Sequence, residues 1–547
     1  MILRSSLLVV ALLCAACSTT TGGGERPTPE PSTPSETATT PPPTPPPPLP
    51  WGPTQAELDE ARARVAAMTP EQVVGQVMVA RYGGTDPADA ASLVAELHLA
   101  GVILMGDNVA ESGGVVDVDQ VRATAGAVQS AGTADGRDWP AVVSVDQEGG
   151  RVARVGAPAT EFPTLMTAGA ARDPEVTRAA AAASAAELRA LGFTWVFAPD
   201  TDVTIGPADP TIGSRSPSDD PGIVGEVVRD AVAGYLGAGI VPVAKHYPGH
   251  GSVTADSHES LPVQDATLED LRSRDLVPFV AAAQAGVPAV MMSHIAVDAF
   301  APGVPSSLAP EAYASLREDA GFSGLAVTDA LDMAAVTQDY GPDGAAVAAV
   351  GAGADLLLMP ADGRAAHAAL VAALGSGELP RARVDDAAAK VVALQRWQAR
   401  QAPAPGPEAV GAHAEASSVL SLAGATVVDG PCSGSLVDGA VQVVGGTDTD
   451  RARFTEAAEA AGLATGSGAV VRLLGTATSS GVGDVVVALD VPYGLAASDA
   501  SVARIALYGR TPGAFRALVD VLTGTAAASG HLPVAVDGLP PGAGCPR

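Results

Sequence analysis

From residue 54 onward the chain follows one rhythm. Short apolar runs recur, separated by Ala-rich stretches whose apolar positions return every three or four residues. The runs are GQVMVARY (75–82), LAGVILMG (99–106), PAVVSVDQ (140–147), TWVFAPDTDV (194–203), VPVAKHY (241–247), AVMMSHIAV (289–297), GLAVTDAL (324–331) and ADLLLMP (354–360). Most are continuous rather than alternating, which is the pattern of strands buried on both faces. Eight strands alternating with eight helices predict a (β/α)8 TIM-type barrel over 51–402. An open doubly wound sheet is the other arrangement this pattern allows. Polar residues gather where the runs end: Asp146, Glu148, Asp202, Lys245, His246, His294 and Asp329. In a barrel those ends converge on one mouth, where α/β enzymes keep their chemistry.

The rhythm breaks in the Pro- and Gly-rich stretch around 400–412, a domain boundary by composition. A second unit, 412–547, repeats the alternation on a smaller scale. Its strand runs are GATVVDG, AVQVVGG, AVVRLLG, DVVVALDVPY and VARIALYG, with helical stretches such as RARFTEAAEAAG and AFRALVDVLTG between them. This pattern predicts a smaller α/β/α sandwich around a parallel sheet.

The first 50 residues have a different texture. Residues 1–17 carry Arg4, an apolar run from Leu7 to Leu13, and small residues before Cys17. This reads as a secretory signal, too short for a comfortable membrane span. Its end, Leu13-Cys14-Ala15-Ala16-Cys17, resembles a bacterial lipobox, which implies lipidation at Cys17, with plain secretion as the alternative. Residues 18–50 are rich in Pro, Thr, Ser and Gly and cannot bury a core, so they are expected to form a disordered linker. Export, anchoring to the cell membrane facing the wall, and a spacer lifting the barrel off the surface follow as expectations.

Composition narrows the functions. Nearly half of the 547 residues are apolar and only 3% are aromatic, so the core is built of Ala, Val and Leu. The formal net charge is -30. That argues against nucleic acid and against a basic patch on anionic lipid, leaving the lipid anchor as the membrane contact. No cysteine pair has metal-ligand spacing with nearby histidines, and there is no phosphate loop or redox motif, so no metal or cofactor is expected.

The densest chemistry lies in VPVAKHYPGHGSVTADSHES (241–260), which holds three of the chain's eight histidines. An apolar strand delivers Lys245 and His246. Pro248 and Gly249 turn the chain, His250 follows, and the loop ends Asp256-Ser257-His258. A loop of solvated polar residues is the bland alternative, but the crowding of titratable groups just past a strand end favours a catalytic site.

KHYPGHG followed by DSH resembles the signature of the β-N-acetylglucosaminidase branch of glycoside hydrolase family 3. Four further segments match that pattern in order: VDQEGGRVAR (145–154), TWVFAPDTDV (194–203), TIGSRS (211–216) and GFSGLAVTDALDM (321–333). The resemblance covers about 60–400, and more weakly the second unit. It departs from the family at Tyr247, where Phe is usual, at Ala330, where many members have Asp, and at Asp200, where a hydrophobic residue is common.

The resemblance implies an exo-acting, retaining enzyme that hydrolyses terminal β-linked GlcNAc, from peptidoglycan fragments. Retention needs a nucleophile and an acid/base flanking the scissile bond. Asp329 is the implied nucleophile, and a helix N-cap is its structural alternative. His258 is the implied acid/base, with Asp256 orienting its ring; imidazole titrates near neutrality and suits that work. Asp146, Arg154, Arg215, Lys245 and His246 are the implied sugar-binding residues. His250 is assigned to shaping the loop, and His294 and Asp298 are placed near the mouth. A β-glucosidase or β-xylosidase of the same family, an N-acetylglucosaminide phosphorylase, and a non-enzymatic carbohydrate-binding lipoprotein are the rival readings. A monomer is expected. With Cys14 in the signal and Cys17 at the lipidation site, Cys432 and Cys545 are the remaining thiols. They lie near the two ends of the second unit, and in an exported protein they are expected to form a disulfide.

Overall fold

The computed structural model describes Gly24 and residues 47–546. The expected signal peptide, lipidation at Cys17 and, apart from Gly24 and residues 47–50, the Pro-rich linker lie outside the described residues.

Eight parallel strands close into a barrel in chain order: β1 Met78–Ala80, β2 Gly101–Leu104, β3 Val142–Val145, β4 Trp195–Val196, β5 Val241–Tyr247, β6 Ala289–Met292, β7 Leu325–Ala330 and β8 Leu356–Leu358. Met78 of β1 pairs with Leu357 of β8, which closes the ring. Nearly every strand residue is buried, because the barrel interior takes one set of side chains and the surrounding helices cover the other. The flanking helices start where the sequence supplies a cap. Helix Pro174–Leu191 begins with the Asp173 carboxylate accepting from the N–H groups of Glu175 and Val176, and with Pro in its first turn. It ends at Gly192, at φ 96°, where a Cβ would stand 2.6 Å from that of Ala125. Thr54 and Thr69 cap the two helices ahead of β1 with reciprocal capping boxes.

The second sheet holds five strands: β9 Thr426–Asp429, β10 Val441–Gly445, β11 Ala469–Leu474, β12 Val482–Ala488 and β13 Asp499–Ala506, in the order β9-β13-β12-β11-β10. Four run parallel, but β9 pairs antiparallel with β13. The sheet is therefore mixed rather than wholly parallel. Apolar patterning reports which face a side chain takes and carries no strand direction. Helices Asp448–Ala460 and Pro512–Thr523 cover one face through Phe454, Phe515 and Leu518. The barrel supplies cover for the other face: Met166 and Ala170, of helix Met166–Ala171, pack with Val486, Ala506 and Tyr508, beside Leu532 and Val534 of the C-terminal segment. Cys432 and Cys545 are joined by a disulfide with Cα atoms 5.4 Å apart. No helix among the described residues is long and apolar enough to cross a membrane.

Candidate active site

A cavity of about 300 Å³ opens at the C-terminal mouth of the barrel. It is lined by Asp146, Glu148, Arg154, Arg215, Lys245, His246, His250, Ser257, His258 and Asp329, among others. Strands from around the ring deliver these groups. Asp146 follows β3, and Lys245 and His246 end β5. Asp329 is the penultimate residue of β7, where the strand's buried residues give way to a half-buried pair.

One wall is a charge network built on Glu148. This carboxylate receives Nε and Nη2 of Arg215, each at 2.8 Å, and Lys245 Nζ at 2.7 Å. Lys245 also donates to Asp146 Oδ1 at 2.7 Å, and Arg154 Nη2 stands 3.9 Å from Asp146 Oδ2. Burial alone would raise the Glu148 carboxyl, but the charges of Arg215 and Lys245 outweigh it and hold it far below the usual carboxylate range. Lys245 stays firmly protonated: burial disfavours its charge, and Asp146 and Glu148 more than restore it.

The floor is organised by Asp202. Its Oδ2 pairs with His246 Nδ1 at 2.7 Å, and its Oδ1 accepts the backbone N–H groups of His250 at 2.6 Å and His246 at 3.3 Å. Burial pushes the Asp202 carboxyl up to about 7. Burial, and then the charge of Asp202, raises Asp200 well above the ordinary range. Burial brings His246 down to about 4, reinforced by Arg215. His246 is thus neutral at pH 7, and its Nε2 lies 3.4 Å from Arg215 Nη2. Asp200, Asp202 and His246 present three ligand-type atoms within 4.8 Å of one another. They do not fit a cation, since His246 Nδ1 and Asp202 Oδ2 are taken up by each other and Arg215 Nη2 lies 3.6 Å from Asp200 Oδ2.

Asp329 is held as a carboxylate. Burial pushes its pKa up, but His246, His294, the Ala330 N–H and Lys245 together keep it below the ordinary value. With His246 neutral at pH 7, the N–H of Ala330, 2.8 Å from Oδ1, and the Lys245 ammonium are the standing contributions there. His294 sits behind this group rather than in the cavity. It is fully buried, with Nδ1 on Ser307 Oγ at 2.7 Å and Nε2 on the Ala330 carbonyl at 2.9 Å. Asp298 is exposed and lies outside the cavity lining.

The rim carries a second Asp–His pair. Asp256 Oδ1 accepts from the His258 N–H at 2.9 Å and meets His258 Nδ1 at 2.7 Å, which leaves Nε2 free. The His258 side chain is 65% exposed. His250 ties this loop to the floor, with Nε2 2.8 Å from Ser257 Oγ. Burial raises the Asp256 carboxyl, but the backbone N–H and imidazole of His258 outweigh it and bring it below the ordinary value.

The structure therefore brings Asp146, Arg154, Arg215, Lys245, His246, His258 and Asp329 to one cavity, with Asp256 paired to His258. Glu148 and Asp202 are the residues whose weight the sequence understates. Each ends a strand run, but the partners that make them central, Arg215 and His246, are 67 and 44 positions away. Arg81, Met105 and Met359 also line the cavity without any motif to mark them, and Met333 closes the segment that carries Asp329.

Residues 69–394 match the model of the glycosyl hydrolase family 3 N-terminal domain. A beta-hexosaminidase of Xylella fastidiosa is 34% identical over 321 residues, which is 55% of this chain and 92% of that protein. Beta-hexosaminidase A of Pseudoalteromonas piscicida is 32% identical over 294 residues, and the chain spans about half, 48%, of its length. Among solved structures, a family 3 beta-N-acetylglucosaminidase from Paenibacillus superposes with a TM-score of 0.76 at 29% identity, covering 86% of this chain and 99% of that one. The matched model spans more than half of the sequence and includes every cavity residue named above, so this chain belongs to glycoside hydrolase family 3.

Proposed function

We propose that the chain is an exo-acting, retaining β-N-acetylglucosaminidase that removes terminal β-linked GlcNAc, with Asp329 as nucleophile and His258, oriented by Asp256, as acid/base. The observation that carries this reading is an ionised carboxylate on the cavity floor facing an accessible Asp–His pair on its rim. The name of the Paenibacillus protein supports GlcNAc as the sugar, and those of the Xylella and Pseudoalteromonas proteins a hexosamine. A cavity of about 300 Å³ lies at the small end of ligand sites. It suits one terminal sugar rather than an internal stretch of a polymer.

In the first step an Asp329 carboxylate oxygen attacks the anomeric carbon while the bond to the leaving oxygen breaks. His258 Nε2–H gives its proton to that oxygen, while Asp256 on Nδ1 holds the ring in place. In the second step water attacks the anomeric carbon and passes a proton to Nε2, and the ester to Asp329 breaks. His246 is unsuited to the acid role, because burial and Arg215 keep it unprotonated at neutral pH. It serves with Asp146, Arg154, Arg215 and Lys245 in holding hydroxyls and the N-acetyl carbonyl. Peptidoglycan fragments as the source, and anchoring through Cys17, rest on the export signal and the family resemblance. Cys17→Ser is expected to release the protein from membrane fractions with its activity intact.

The test of the activity is release of 4-nitrophenol from the aryl β-N-acetylglucosaminide and the aryl β-glucoside, each with and without phosphate. Turnover of the first, independent of phosphate, supports the reading. Preference for the glucoside, or a phosphate-dependent release of sugar phosphate, replaces it with one of the rivals. An activated fluorosugar is expected to label Asp329, and labelling of another carboxylate removes the nucleophile assignment.

A further inference from the structure

Every residue lining the mouth cavity belongs to the barrel, yet the turn that carries Arg215 is not held by the barrel alone. Its first half hangs on Asp209, which accepts the N–H groups of Thr211 at 3.0 Å, Ile212 at 2.8 Å and Gly213 at 3.0 Å. Its second half is fixed from across the domain seam. Ser214, fully buried, donates its hydroxyl to Asp490, which lies just after β12. Val491 packs on the same turn: a Cβ added at Gly213 would lie 3.8 Å from its Cγ1. Two further bonds hold the downstream chain, Ser218 Oγ to the Pro533 carbonyl and the Ala535 N–H to Asp219 at 2.7 Å. Asp490 is half-buried and borders an interdomain cleft of about 710 Å³. Its carboxylate keeps access to solvent on one side while its bond to Ser214 is charge-assisted, the stronger kind.

Arg215 is the residue after Ser214; its side chain is 10% exposed and its guanidinium sits against Glu148. An arginine on a loop is useful to a ligand only if its position is set beforehand; otherwise binding must order it. We propose that Asp490 is a positioning residue for Arg215. Through Ser214 it locks the 213–215 turn, so the second domain takes part in substrate recognition with no side chain in the cavity. This rests on the sugar-binding role given to Arg215 under the proposed function.

The test uses the full chain and the aryl N-acetylglucosaminide. Asp490→Ala is expected to raise KM about tenfold with kcat changed by less than about threefold, the pattern of lost uniform binding. Asp490→Asn, whose amide oxygen still accepts from Ser214, is expected to restore KM. In an Arg215→Ala background, Asp490→Ala is expected to have no further effect on kcat/KM, because both changes remove one function. Hydrogen exchange of the 211–216 amides is expected to quicken in Asp490→Ala and not in Asp490→Asn. Unchanged exchange, or a penalty that adds in full to that of Arg215→Ala, overturns the proposal. Should Asp490→Ala not fold, Ser214→Ala removes the same bond and is read in the same way. A wild-type chain inactive on the aryl substrate, with exchange altered as expected, removes the proposed activity and leaves the positioning role standing.

Discussion

Glu148→Gln tests whether the polar wall of the cavity is assembled on one buried anion. The side chain is 5% exposed and receives three short contacts from Arg215 and Lys245. Glutamine keeps the shape but removes the charge and turns one acceptor into a donor facing a cation. Removing one partner of a buried ion pair costs about 3–5 kcal/mol, because the charge left behind is desolvated and unpaired. Two contacts soften the loss. Lys245 keeps Asp146 at 2.7 Å, and Arg215 keeps Asp200 at 3.6 Å. Burial, Asp202 and, more weakly, Glu148 raise the Asp200 carboxyl, so loss of the Glu148 charge eases its ionisation opposite Arg215. The expected destabilisation is therefore at the lower end, about 3 kcal/mol. Urea unfolding at pH 7, with unchanged denaturant slope and a lowered midpoint, measures it. kcat/KM on the aryl N-acetylglucosaminide is expected to fall about 100-fold, as two charge-assisted anchors are lost together. Asp200→Asn is expected to cost more in the Glu148→Gln background than alone. A Glu148→Gln protein within about 1 kcal/mol of wild type, with KM unchanged, refutes the argument.

His258→Ala is expected to slow substrates with poor leaving groups by about 10²–10⁴-fold and activated aryl substrates much less; equal loss across leaving groups removes the acid/base role. Asp202 gives a pH dependence with a definite sign. Its folded pKa of about 7 lies above the ordinary value, so its contribution to stability is fully present below that value and is lost as pH rises to about 7. Asp202→Asn is expected to flatten the fall in stability between about pH 4 and 7, a difference of up to about 4 kcal/mol in urea unfolding; parallel profiles for the two proteins refute it. Replacing Cys432 and Cys545 together by Ala is expected to cost about 4–5 kcal/mol of unfolding free energy, since the bond closes a separation of 113 residues. A loss under about 1 kcal/mol contradicts the chain-entropy account.

The eight barrel strands were legible because a strand buried on both faces must be apolar throughout, and such runs stand out between Ala-rich helices. The run 194–203 promised more strand than forms: β4 keeps only Trp195–Val196. Beyond it Pro199, which has no N–H to donate, breaks the regular ladder, the pairing thins to a single bridge of Asp200 with Lys245, and Asp200, Thr201 and Asp202 are buried polar groups that hold Lys245 and His246 of β5. The motif residues of 241–260 pointed at the mouth because Lys245 and His246 sit in the strand itself. Their roles in the network were not legible, since Glu148–Arg215 and Ser214–Asp490 join positions 67 and 276 apart and only the closed topology brings them together. The antiparallel β9 was unreadable for a similar reason: pairing direction is a property of the path between strands and leaves no mark on either run.

The second sheet has one face finished by a barrel helix, and this decides how the two halves can move and be cut. Met166, Ala170, Val486, Ala506 and Tyr508 are apolar or aromatic and share one core. Such a seam behaves as an interior and not as a hinge, so opening of the active site by swinging one domain away would expose that core to water. The same property makes the barrel a poor fragment. A chain ended near residue 400 would present Met166 and Ala170 to solvent and take the Asp490 contact away from the Arg215 turn. Engineering of this protein therefore has to treat the barrel and the second domain as one piece, with surface loops as the places to vary.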